Sequence, residues 1–329
     1  MQFSRFEESQ TRLILDLLRL LDWPTDPEAV IQRMAQLQRG LEPEDEFALI
    51  LSWLGKCRLV HKLNQEQLPL ASVNQYRVPD LLAAFDYQGK VVPVLIEVKT
   101  TAPPADPLAP GNLSLKPGYL EYATLLGLPM LIAWKDRSLW TLFEMRHAEL
   151  AETNYHITFL HAMEESLLSV LAGDFSYRLA PATALRLSIR KLSPRDPETG
   201  GFVGEIHDTH FINPLGERVP DIPHLGSLFM FWENEAVVTE DGEDVIEDFV
   251  VAENSMNEFA SRTLTKIVHA FAGIKKTDVN WRAITHDADH LAHQPGMLRT
   301  LVEAGAEHGI FTDVFRFKPQ HMPPFLTED

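Results

Sequence analysis

Two carboxylates and an ammonium are spaced along this chain so that one β-hairpin would gather them: Asp80, Glu97 seventeen positions later, and Lys99 two beyond that. Paired carboxylates offer the hard oxygens that Mg²⁺ prefers, with Mn²⁺ as the alternative, and leave coordination places for water and a phosphate oxygen. A divalent ion held this way polarises a phosphoryl group and lowers the pKa of an attacking water. A lysine alongside can orient that water or offset the charge that builds on phosphorus. The chemistry such a trio would serve is metal-dependent phosphodiester hydrolysis, with Asp80, Glu97 and Lys99 as catalytic candidates and Asp80 and Glu97 as the metal ligands.

The positioning element is the segment Val78–Lys99. Two apolar runs flank Gln88-Gly89, which the spacing predicts as a two-residue hairpin turn. Pairing Tyr87 with Lys90 and counting outward sets Phe85 against Val92, Ala83 against Val94 and Asp80 against Glu97. Directly opposed residues hold their Cβ atoms about 4.5–5.5 Å apart, and strand alternation puts Lys99 on the face of Glu97. The competing reading is an edge hairpin with ordinary surface charges. Against it, Leu81, Ala83, Phe85, Val92, Val94, Ile96 and Val98 make one face apolar, while Leu82, Ala84, Val91 and Leu95 occupy the other. A hairpin apolar on both faces is expected to be central and covered on each side. Ionised groups at its end are then costly unless paired or metal-bound.

Pro79-Asp80 followed by Glu97-Val98-Lys99 resembles the PD-(D/E)xK nuclease superfamily of restriction endonucleases, archaeal-type Holliday junction resolvases and prokaryotic defence nucleases. The resemblance spans roughly residues 42–145. A second Pro-Asp, in Val219-Pro220-Asp221, has no acidic-x-Lys downstream. The resemblance implies an α/β (α+β) fold: a restriction endonuclease-like core of a mixed sheet flanked by helices. It also implies DNA in preference to RNA as substrate, and a place in defence or DNA processing. Many members add an acidic residue from the helix before the first core strand. Glu46 is the best match for a third metal ligand, with Glu44 as the fallback; equally, Glu46 suits the positive end of a helix as a first-turn carboxylate.

Around that core the pattern predicts helices over 11–21 and from Asp26-Pro27 to about Arg39. A helix from Pro43 to near Gly55, a strand at Arg58–Leu63, the hairpin, a helix from about Gly118 to Leu126, and strands at Leu128–Trp134 and Leu139–Phe143 follow. Lys116 and Tyr119 flank the helix at 118 and are the nucleic-acid-binding candidates, with Tyr122 one turn on. Beyond 150 the pattern predicts a helix over His156–Leu171, strands near Leu185–Lys191, Gly204–Ile212 and Leu228–Trp232, a turn at Pro214–Glu217, and a helix over Glu258–Phe271. The expected organisation is a helical segment (1–41), a nuclease-like domain (42–150) and a C-terminal α+β domain (151–329) for recognition or assembly. Basic candidates there are Arg186, Arg190, Lys191 and Arg195, and separately Lys275, Lys276 and Arg282 beside Trp281. His286-Asp287-Ala288-Asp289-His290 lacks the glutamate of a zinc-protease helix and reads as a histidine-bearing surface helix.

Composition limits the alternatives. The 329-residue chain has one cysteine, Cys57, which excludes a disulfide framework, a cysteine-rich zinc site and a four-cysteine cluster. A reduced, cytoplasmic setting is the expectation, and no apolar stretch reaches the ~18 residues of a membrane span. The net charge of −18 argues against promiscuous nucleic-acid binding, which draws on Lys and Arg. Asn234–Glu258 alone holds nine acidic residues and no Lys or Arg. Targeting is therefore expected to use self-association or a partner protein docked on the C-terminal domain. The rival readings are a non-catalytic nucleic-acid-binding or assembly subunit that keeps the fold, and an RNA-directed nuclease.

Overall fold

Pro43 has the fixed φ that suits the first turn of a helix, and Glu44, Asp45 and Glu46 place three acids at its positive end. In the computed structural model, which describes residues 43–64, 67–101, 111–222, 225–229, 232–241, 244–274 and 295–327, α1 spans Pro43–Leu54. It ends at Gly55, whose φ of +95° and approach to Gly296, 2.7 Å from where a Cβ would sit, admit no side chain. The two N-terminal helices, the basic cluster around Trp281 and the His286–His293 segment lie outside the described residues.

The chain then forms β1 (Cys57–Lys62), β2 (Leu81–Tyr87) and β3 (Lys90–Thr101). Gln88 and Gly89 take φ of 51° and 80°, the double positive φ of a tight hairpin turn. β2 and β3 pair in the register that the turn dictates: Tyr87 with Lys90, Phe85 with Val92, Ala83 with Val94, Leu81 with Ile96. β4 (Asn112–Leu115) and α2 (Gly118–Leu126) lead to β5 (Met130–Asp136), parallel to β3, and β6 (Leu139–Glu144). The main sheet runs β1-β2-β3-β5-β6. It is a mixed sheet with helices on both faces, and the order helix, strand, hairpin, helix, strand is the one expected from the sequence.

One face of the sheet carries Leu95, Ile132, Trp134 and Phe143. It packs against α2, β4 and β8 (Asn154–Thr158), then α3 (Phe159–Glu164), while the exposed β7 (Glu149–Ala151) pairs with β8. Here the expected helix over His156–Leu171 is corrected. Tyr155, Ile157 and Thr158 favour extended backbone and pair with β4 and β7, so the helix begins only at Phe159, behind Thr158, whose hydroxyl accepts from His161 N. Past β9 (Ser176–Leu179), β10 (Ala184–Lys191) and β11 (Gly204–Ile212), the expected strand near Leu228 is instead α4 (Leu225–Phe229). Phe229 is buried against Phe211 and Trp232, an anchoring that a short helical turn satisfies. β12 (Glu235–Asp241) and β13 (Asp244–Val250) complete the sheet β11-β10-β13-β12. β14 (Glu258–Phe259), α5 (Ala260–Ile274), α6 (Met297–Glu307), β15 (Phe311–Phe315) and α7 (Pro324–Thr327) close the chain. Among the described residues, no helix is long and apolar enough to cross a membrane.

The opposite face of the main sheet is covered by α1 and α5, and Glu46 is the polar pin between them. Its side chain is buried, and its oxygens accept from Lys135 Nζ (2.6 and 2.8 Å) and Trp140 Nε1 (3.3 Å), with His269 Nε2 at 3.1 Å. Burial works to raise the Glu46 pKa, but the bonds from His269 and Lys135 and the Lys135 charge outweigh it and hold the carboxyl below its ordinary range. Lys135 pairs with Thr100 and Trp140, so alternation puts this cluster on the face opposite Glu97 and Lys99. The structure therefore does not bring Glu46 to the Asp80–Glu97 pair, and the expectation of Glu46 as the third ligand is corrected. The inward-looking start of α1 faces a lysine across the sheet, not the ends of the hairpin.

A buried carboxylate left without its cation costs about 3–5 kcal/mol. Lys135→Met is expected to lower stability in urea unfolding by that order, and Glu46→Leu combined with Lys135→Met to recover most of it.

Candidate active site

Asp80 lies one residue before β2, and the hairpin register sets it opposite Glu97 in β3. Asp80 Oδ2 accepts from the Val98 backbone N–H at 2.8 Å, while its own carbonyl accepts from Leu63 N at 2.9 Å, so β1 and β3 both tie it down. Glu97 is 2% exposed. Its Oε1 accepts from Lys99 Nζ and, at 2.5 Å, from the Tyr119 hydroxyl on the first turn of α2. Glu97 Oε2 is buried with no hydrogen-bond partner. Lys99 stays partly exposed, its ammonium 5.8 Å from the centre of the Tyr119 ring, a distance at which the ring face attracts a cation. Asp80, Glu97, Lys99 and Tyr119 thus form one cluster at the end of the hairpin.

The electrostatics of the cluster follow from crowding two carboxylates in a half-buried place. Burial, then the neighbouring Glu97 charge, push the Asp80 carboxyl up to about 6, against the Val98 N–H and Lys99, which pull it down. Burial and the hydrogen bond to Glu97 drive the Tyr119 hydroxyl well above its usual range, so it stays protonated and donates. A buried oxygen without a donor is costly, and a like-charge pair is relieved by a cation placed between its members. The donor set, two carboxylates with a free inward oxygen and partial access to solvent, fits a hard divalent cation.

Of the two nucleic-acid candidates, Tyr119 is engaged inside the cluster, with its hydroxyl committed to Glu97. Lys116 is exposed in the turn before α2. A cation that the sequence reading passed over joins it: exposed Arg77, whose backbone N–H donates to the Gly118 carbonyl at 3.0 Å and whose charge acts on Tyr119. Its sequence signal was only its place three residues before Asp80. The second-sheet cations are largely occupied. Arg186 makes a two-pronged pair with Asp248 (2.7 and 2.7 Å), and Lys191 and Arg195 share Glu240 (2.9 and 2.8 Å). Arg190 is exposed.

Among solved structures, the chain is similar to Hjc of Archaeoglobus fulgidus, a Holliday junction resolvase from an archaeal hyperthermophile. Identity is 20%, the match covers 37% of this chain and 89% of that one, and the TM-score is 0.28. No protein-family model matches the chain, and no curated protein does.

The raised Asp80 pKa has a definite sign. An ordinary aspartate loses its proton near 3.8, whereas folded, metal-free protein holds it to about 6. Metal-free stability should therefore decline as pH rises between those values, because the fold favours the neutral acid. A divalent cation must displace that proton, so its affinity should rise by up to about tenfold per pH unit and level off above about 6. Calorimetric titration with Mn²⁺ across this range checks it, and Asp80→Asn should flatten the profile.

Proposed function

We propose that this protein is a metal-dependent nuclease that hydrolyses phosphodiester bonds, DNA in preference to RNA, with Asp80 and Glu97 as metal ligands and Lys99 as the catalytic cation. The observation that carries this reading is the buried, unpartnered Glu97 Oε2 facing a carboxylate, beside a lysine, at the end of a central hairpin. The likeness of Pro79-Asp80 and Glu97-Val98-Lys99 to the PD-(D/E)xK pattern supports the reaction class and the preference for DNA. Mg²⁺ is the proposed ion, with Mn²⁺ as a substitute; when bound, it supplies Lewis-acid polarisation of a phosphoryl oxygen and a more acidic water.

The protein's own groups then divide the work. Asp80 and Glu97 would hold the ion, and the Val98 N–H fixes which Asp80 oxygen turns away. Tyr119 keeps Glu97 oriented through a donor that does not titrate at neutral pH. Lys99 shares Glu97 Oε1 with Tyr119, and its partly exposed ammonium would orient water or offset charge on phosphorus. Arg77 and Lys116, both exposed near α2, would contact a backbone phosphate. The remainder, residues 151–329, is proposed as a recognition or assembly region. Among its described residues most basic side chains are paired with acids, so tight action on nucleic acid would call on self-association or a partner protein. A role in prokaryotic defence or DNA processing, and a cytoplasmic setting, belong to the same proposal.

The deciding experiment presents duplex, branched and single-stranded DNA and RNA to the purified protein with and without Mg²⁺. Cleavage that requires the ion and disappears in Asp80→Ala and Glu97→Ala is the expected result. Wild-type turnover in either variant overturns the site. Protein that binds nucleic acid and never cuts it supports the non-catalytic subunit instead. Lys99→Ala should bind metal about as well as wild type while its turnover falls by roughly 10²–10³, the scale of losing one transition-state electrostatic contact; equal loss of metal binding would make the lysine structural.

A further inference from the structure

His147, His161 and Glu165 each offer one ligand atom, and the three atoms lie within 4.8 Å of one another, apart from the Asp80 cluster. His147 ends the single helical turn Met145–His147 that follows β6, His161 lies on α3, and Glu165 sits just past the end of α3. The Glu165 side chain is buried, and its carboxylate is already oriented. His321, from the tail after β15, donates its backbone N–H to Oε2 at 3.1 Å and sets its ring Nδ1 2.6 Å from Oε1.

The separations are informative. His147 Nε2 lies 3.8 Å from Glu165 Oε2 and 3.7 Å from Glu144 Oε2, close to both carboxylates yet beyond hydrogen-bond reach of either. Ligands at the usual zinc distances of about 2.0–2.2 Å, in a tetrahedron, stand roughly 3.4 Å apart. Small side-chain movements would close the group around one ion. A cleft of about 230 Å³ opens directly on His147 and His161, bordered by Asn112, Glu149, His156 and Thr158. It leaves room for a water in the fourth position.

We propose that His147, His161 and Glu165 bind one transition-metal dication, Zn²⁺ by preference, as a three-ligand site whose fourth position opens to this cleft. Two imidazoles favour a borderline-soft ion over Mg²⁺, so with Mg²⁺ in large excess over Zn²⁺ this site would take Zn²⁺ while the Asp80–Glu97 pair takes Mg²⁺. Ligating carboxylates are held by hydrogen bonds from outside the coordination shell, and His321 supplies these to Glu165. The ion would tie the segments after β6 and α3, and through His321 the C-terminal tail, to one point. This inference does not rest on the nuclease reading.

The test is equilibrium dialysis of the full chain against Zn²⁺ with metal analysis, with circular dichroism to verify folding. His147→Ala and His161→Ala should each remove one equivalent, while Asp80→Ala and the pair His286→Ala with His290→Ala keep it. Because His161 is exposed, its replacement should spare packing. Co²⁺ in place of Zn²⁺ should give the intense visible absorption of a four- or five-coordinate ion, lost in His161→Ala. His321→Ala should weaken binding by roughly 10–100-fold. No bound equivalent in the wild type, or an equivalent that survives in His147→Ala and His161→Ala or is lost with His286 and His290, overturns the proposal.

Discussion

Two consecutive residues with positive φ, Gln88 and Gly89, set the register of β2 against β3, and the candidate active site depends on that register more than on any other interaction. Side chains alternate with a period of two, so a slip of one residue would turn the Glu97 and Lys99 side chains to the α1 face. The pairing also explains why Asp80 can be half-buried. It sits at the hairpin's open end, where the Val98 N–H and Leu63 N–H reach it, and the continuous apolar faces behind it keep the strands from sliding.

The same sheet buries a second carboxylate on its other face, and the contrast separates support from chemistry. Glu46 and Glu97 are each almost wholly inaccessible, 3% and 2% exposed. Both Glu46 oxygens are engaged, by Lys135, Trp140 and His269, and the result is a clamp that holds α1 and α5 to the sheet. Glu97 has one oxygen with two donors and another with none. A buried acid with every lone pair engaged stabilises packing; one with a vacant lone pair beside a second carboxylate has capacity for a cation.

Charge is organised locally despite the strongly acidic total. The acidic hairpin β12–β13 lies beside β10, and Asp248 and Glu240 take up Arg186, Lys191 and Arg195. Glu258 holds Arg262 and Lys266 at the start of α5. The acid-only stretch is thus in part the complement of cations more than thirty residues away in sequence. Arg77 and Lys116, by contrast, are exposed, three residues before Asp80 and three before Tyr119 respectively.

Local chemistry determined a good deal of this protein by itself. The turn at Gln88-Gly89, the hairpin register, the helix at Gly118–Leu126 and the order of the core elements are set by short-range preferences that agree with one another, and so they were readable. Where short-range signals conflict, the fold decided. Tyr155–Thr158 carried both helical periodicity and β-propensity, and pairing with β4 and β7 settled it as a strand. Glu46 was readable as a first-turn acid of α1 but not as belonging to the opposite face, because its partner, Lys135, is 89 residues distant. Tyr119 was readable as a residue of α2, yet its bond to Glu97 exists only because the crossover lays that helix over β3. Of the grouping of His147, His161 and Glu165, with His321 behind it, only the four-residue spacing of His161 and Glu165 shows in the sequence. Its three ligands come from two segments, the turn after β6 and α3 with the residue just past it, and packing of α3 against β6 brings them within reach of one ion, with the tail adding His321 behind Glu165.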